Sequence, residues 1–68
     1  MNIQVGNFCE YNGIVYRIEK VNLGRVLCVA RKSGEETTFC HEFLALHGKY
    51  VDPLHILATA DIGETQQD

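Results

Sequence analysis

The sequence predicts a predominantly β protein, a meander of four to five short antiparallel strands with at most a short helix after residue 52. Three observations carry this. Turn signals recur about every ten residues: Tyr11-Asn12-Gly13-Ile14, Asn22-Leu23-Gly24 and Lys32-Ser33-Gly34-Glu35. Asn-Gly between apolar runs is a strong hairpin signal, because both central residues of a type I′ turn need positive φ. Finally, residues 14–21 alternate, with Ile14, Tyr16 and Ile18 on one face and Val15, Arg17 and Glu19 on the other.

Each element follows from this punctuation. The first strand is expected over residues 3–11, with a bend at Gly6-Asn7. The second covers 14–21 and the third 25–31. The fourth covers 36–40, entered through the Ser33-Gly34 turn. From His41 to Leu46 no period of two survives, so this stretch reads as a helical turn or a strand turning a corner. His47-Gly48-Lys49 reads as a turn, and a fifth strand falls at 49–51 or 55–59. Asp52-Pro53 has the form of a helix start, with Asp as N-cap and Pro at the first helical position. A turn or two of helix from Pro53 would then place Leu54, Leu57 and Ala58 inward. Residues 1–60 read as one domain and 61–68 as a polar, acidic, frayed tail.

A chain of 68 residues buries only about 60% of the surface its unfolded form exposes, so its core is small. Edges of a short meander must close, pair or be capped. Length and turn spacing together make the chain similar to SH3-like, KOW and Tudor small barrels. That resemblance implies a small, partly open barrel of four to five antiparallel strands. Type II dihydrofolate reductases are barrels of similar size, but their pore segment Val-Gln-Ile-Tyr has no counterpart here, where Ile3-Gln4-Val5 lies on the first strand.

The formal net charge is −3. Residues 1–60 carry six basic and six acidic side chains, so the excess lies in Asp61, Glu64 and Asp68. Arg17, Lys20, Arg25, Arg31 and Lys32 cluster with only Glu19 among them. Glu35, Glu36, Glu42 and Asp52 follow with only Lys49. No apolar run approaches the ~20 residues of a membrane helix, and no basic-then-apolar leader is visible. The expected location is the cytoplasm, with Cys9, Cys28 and Cys40 as reduced thiols.

No catalytic constellation is visible. Cys9, Cys28, Cys40, His41, His47 and His55 have the right atom types for zinc but lack ligand spacing, so no metal or cofactor is expected. Cys40 with a histidine lacks any feature that would stabilise a thiolate. Ser33 reads as a turn former.

The third strand is apolar on both parities, with Val26, Cys28 and Ala30 on one face and Leu27 and Val29 on the other. With a three-residue loop at 22–24, Val21 faces Arg25, Glu19 faces Leu27, Arg17 faces Val29 and Val15 faces Arg31. The outer face of the hairpin then carries Val15, Val21, Leu27 and Val29, framed by Arg17, Arg25 and Arg31. Such an apolar centre with an arginine rim is a contact patch. Alternatively, a bulge at Gly24 shifts parity and sends Leu27 and Val29 into the core.

The functional expectation is a non-catalytic interaction protein that binds another protein, or itself as a homodimer, through this hairpin. An alternative is weak RNA or DNA binding through Arg17, Lys20, Arg25, Arg31 and Lys32, with Phe8, Tyr11, Tyr16 and Phe39 as stacking platforms. The acidic pI of about 5.5 weighs against it, because nucleic-acid binders are typically basic. A third reading is a subunit whose active site forms only at an oligomer interface. No membrane partner is expected.

Overall fold

A computed structural model describes residues 1–55. In chain order it contains β1 (Phe8–Tyr11), β2 (Ile14–Asn22), β3 (Arg25–Ala30), β4 (Glu36–Cys40), the helix α1 (His41–His47) and β5 (Lys49–Val51). All five strands join one antiparallel sheet in the order β4-β3-β2-β1-β5. The predominantly β class and the meander of 8–40 are as the sequence predicts.

The Asn12-Gly13 turn forms as its chemistry requires, with φ of 56° and 81°. Both central residues are left-handed, the signature of a type I′ hairpin. The β2–β3 turn differs from expectation. Asn22 pairs with Arg25, which leaves a two-residue turn of Leu23 and Gly24, at φ 47° and 76°. A leucine in the left-handed region costs on the order of 1 kcal/mol or more. The register then slips between Ile18 and Lys20, where Glu19 is the extra residue of a bulge. Past that bulge Arg17 faces Val29, as the longer loop would also have placed them.

Two other boundaries move. Residues 3–7 are not strand, because Gly6 takes φ 93° and the Asn7 N–H donates to the Gln4 carbonyl at 3.1 Å. Residues 41–47 resolve as a helix rather than a bent strand, and they bury Leu44 completely. The fifth strand is 49–51, the first of its two expected positions. Residues 53–55 are helical, and the Leu54 N–H donates to Asp52 Oδ1 at 2.8 Å. Asp52 is therefore the cap that the Asp-Pro pair foretold. Leu54 does not point inward; it is exposed. The expected inward turn of Leu57 and Ala58 and the acidic tail at 61–68 lie outside the described residues.

Cys9, Tyr16, Ile18, Val26, Cys28, Ala30 and Leu44 form the core, with Met1, Ile3, Tyr11 and Phe39 packed on it. The sheet curls strongly toward this side. In a flat sheet, β1 and β3 would stand about 10 Å apart across β2. Cys9 and Cys28 on these two strands nevertheless share one fully buried core. Interaction with Cys9, followed by burial, holds the Cys28 thiol well above its ordinary value. Ile14, expected on the inner face with Tyr16 and Ile18, lies at the sheet's end and stays exposed.

Candidate functional site

Curling gives the sheet a concave, packed side and a convex side. On the convex side the cross-strand register sets the neighbours. Val51 faces Phe8, Phe8 faces Arg17, Arg17 faces Val29 and Val29 faces Glu36. One row away, Lys20 faces Leu27 and Leu27 faces Thr38. On the other side Glu10 faces Val15, whose carbonyl accepts the Arg31 N–H at 2.8 Å. Phe8, Val15, Leu27, Val29 and Val51 are all half-buried. They make an apolar stripe crossed by charged side chains, among them the exposed pair Arg17 Nε–Glu19 Oε2 at 3.4 Å.

The residues singled out from sequence fall out as follows. Val15, Leu27 and Val29 share this face with Arg17 and Arg25, and Arg31 is half-buried at its end. Leu27 and Val29 therefore stay out of the core, which takes Val26, Cys28 and Ala30 instead. Val21 leaves the group. The bulge at Glu19 reverses its parity, and it faces the fully buried Val26 on the concave side. The signal for that bulge was absent from the alternation, which runs unbroken through Glu19.

Of the five basic residues, Lys20 joins Arg17 and Arg25 on the convex face, while Lys32 sits in the β3–β4 turn. Tyr11, Tyr16 and Phe39 do not stand beside them. These rings pack edge-to-face on the concave side, at centroid distances of 5.3 Å for Tyr16–Phe39 and 5.7 Å for Tyr11–Phe39. Only Phe8 is paired with a basic residue on the convex face. Cys40 is exposed at the start of α1, while Cys9 and Cys28 are buried.

A second feature was not legible in the sequence. An open groove of about 900 Å³ lies at the end of the sheet that holds the Asn12-Gly13 turn. Ile14, Val15, Tyr50 and Val51 supply apolar lining, and Glu10, Glu35 and Asp52 supply carboxylates. Arg31, Lys32, Lys49 and His55 add basic groups. Its walls come from segments far apart in the chain, so no local pattern announces it. The volume is in the range of ligand and peptide sites, about 300–1,000 Å³.

No family model matches the chain, and no curated protein or solved structure matches it. No helix among the described residues is long and apolar enough to cross a membrane.

Proposed function

We propose that this protein is a non-catalytic interaction module, built as a small SH3-like, partly open barrel, that binds another protein through the convex face of the β2–β3 hairpin. The observation that carries the reading is the apolar stripe of Val15, Leu27 and Val29 with Arg17, Arg25 and Arg31 around it. Half-buried apolar residues inside a rim of arginines have the composition of a protein-contact surface. Strand order and curl support the barrel, since β4 and β5 lie at the sheet's two ends and β1 side chains reach those of β4. The three free thiols among the described residues fit a reducing, cytoplasmic setting.

Protein is preferred to nucleic acid because Phe8 alone of the four candidate aromatics stands beside a basic residue of this face, and that residue, Arg17, is already paired with Glu19. Self-pairing of the same face across a two-fold axis is the homodimer form of the reading.

The test is Leu27→Lys. Its side chain is only half-buried, so the variant keeps its melting temperature while it loses a host protein that the wild type retains. Unfolding of the variant makes Leu27 a structural residue and removes the patch. Tight, salt-sensitive retention of a mixed-sequence oligonucleotide would favour the nucleic-acid alternative.

A further inference from the structure

β4 carries a free backbone edge, and hydrogen-bond parity identifies the residues that form it. Its neighbour β3 lies on one side only. The Ala30 N–H donates to the Glu35 carbonyl at 2.8 Å, and the His41 N–H donates to the Gly24 carbonyl at 2.7 Å. In an antiparallel ladder every second pair is hydrogen-bonded in this way. Cys28–Thr37 and Val26–Phe39 fall on the same parity. Glu36, Thr38 and Cys40 fall on the other, so their N–H groups point away from β3. The Glu36 and Thr38 carbonyls do so too, whereas the Cys40 carbonyl opens α1, whose N-cap is Cys40. All three side chains are exposed on the convex face, opposite Val29, Leu27 and Arg25. No backbone group among the described residues bonds to these outward positions.

The two ends of the sheet are guarded unequally. β5 is three residues long, begins with Lys49 and is soon followed by Pro53. Shortness, lysine and proline are the usual protections of a sheet edge. β4 has five residues, keeps an unbroken register with β3, and contains neither lysine nor proline. Its centre is a pair of threonines, which favour strand.

We propose that the β4 edge pairs antiparallel with the β4 edge of a second copy of this chain, about a two-fold axis at Thr38. The outward residues are evenly spaced about Thr38, so the strand is its own complement. Thr38 exchanges backbone hydrogen bonds with Thr38 of the partner subunit. The Cys40 N–H of each copy donates to the carbonyl of Glu36 of the partner subunit, giving about four bonds in all.

Side-chain chemistry selects a copy of this chain as the occupant. Threonine stands beside threonine at the axis, a favourable cross-strand pair. The two Glu36 carboxylates are kept apart, and each lies beside a small Cys40, one strand from Arg25. Glu36 faces only Val29 within its own sheet, so the pairing gives it a basic neighbour. The two convex faces then run together into one surface. The pairing does not rest on the convex-face reading, and Leu27→Lys, one strand inside the edge, leaves it intact.

Disulfide trapping of the full chain reads the register. Cα atoms of a hydrogen-bonded pair stand about 5.5 Å apart, within the roughly 4.4–6.8 Å that a disulfide spans. Glu36→Cys should therefore form a covalent dimer with oxidised glutathione, and peptide mapping should find the introduced thiol joined to Cys40 of the partner subunit. The wild type should not cross-link, because Cys40 and Cys40 of the partner subunit are offset along the strands by about 13 Å. Sedimentation should show a wild-type dimer, with Thr38 and Cys40 amides that exchange slowly in the dimer and quickly on dilution. Thr38→Lys, at an exposed position, should keep the wild-type circular dichroism but stay monomeric where the wild type is dimeric, since like charges would stand directly opposite. Thr38→Pro removes the outward N–H without touching the β3 ladder and replaces it if Thr38→Lys does not fold. Three results overturn the proposal: a wild type that is monomeric throughout, a Glu36→Cys dimer without the Cys40 cross-link, or a monomer whose β4 amides already exchange slowly because residues 56–68 cover the edge. A dimer that Leu27→Lys abolishes while the β4 amides exchange freely also overturns it and moves the interface to the convex face.

Discussion

Tyr11 and Phe39 belong to β1 and β4, with two strands between them, yet their ring centroids lie 5.7 Å apart at an interplanar angle of 76°. A flat sheet would hold those strands about 14 Å apart. Edge-to-face contact over that span requires the sheet to roll up, and Phe39 also meets Tyr16 and lies parallel to Phe43 of α1. Phe39 is thus the residue at which β1, β2 and the helix meet.

Phe39→Ala should remove these contacts together. A half-buried phenylalanine with aromatic partners on three elements is expected to cost about 2–3 kcal/mol. Chemical denaturation should show the loss as a lower midpoint. A change within about 0.5 kcal/mol would mean that the ring cluster does not hold the curl.

Gly13→Val should cost roughly 1 kcal/mol or more. The residue sits at φ 81°, and a β-branched side chain is strained there even though the space around it is open. Thermal melting measures the effect, and an unchanged midpoint would contradict the type I′ turn.

Gly48→Ala should destabilise for a different reason. Gly48 has an ordinary φ of −76°, but an added Cβ would stand 2.7 Å from the Leu44 carbonyl oxygen and 2.9 Å from Leu44 Cδ1. The same carbonyl accepts the Gly48 N–H at 2.7 Å, so it cannot retreat without loosening the end of α1. A loss of about 1–3 kcal/mol is expected, with α1 amides the first to exchange faster. Unchanged stability and exchange would show that the helix end adjusts freely.

Alkaline pH should weaken the fold earlier than tyrosine or lysine titration explains. The Cys28 thiol is held above its ordinary value by Cys9 and by burial. The unfolded chain releases the thiol proton near pH 8.5, while the folded chain keeps it. At Cys28 the unfolded state therefore binds fewer protons, so stability falls as pH rises above about 8.5; Cys9, whose thiol the contact with Cys28 holds below its ordinary value, offsets this only below that pH. Cys28→Ala should be less stable at neutral pH but show a flatter profile above that pH. Equal slopes for variant and wild type would refute this origin.

The fold was largely legible because most of its turns use residues with a conformational reason to be there. Asn12-Gly13 and the Ser33-Gly34 segment mark their turns by chemistry, and β4 was placed at 36–40 as it stands. The turn at Leu23 was read one residue too long, since nothing about leucine announces a left-handed backbone. The bulge at Glu19 then moved Val21 to the other face. Helix α1 is one of two readings the sequence allows for 41–46, a helical turn or a bent strand, and the sequence does not choose because the N-cap, Cys40, makes no side-chain capping bond and only Leu44 of the seven helical residues is buried. Of the candidate site, the hairpin face could be read from strand parity. The groove could not, because it exists only once segments 10–15, 30–35 and 49–55 have been brought together.

Strand order also dictates a sequence of events in folding. Three of the four strand pairings join neighbours in the chain, whereas β1–β5 closes over everything from residue 12 to residue 48. Hairpins of short loop form quickly, and pairings across long loops carry more closure entropy and come later. β1 therefore waits with one side unmatched until Lys49–Val51 arrives. In that interval the chain carries a sticky, template-like margin, and this is the stage at which crowding in the cell would most readily divert it into aggregates.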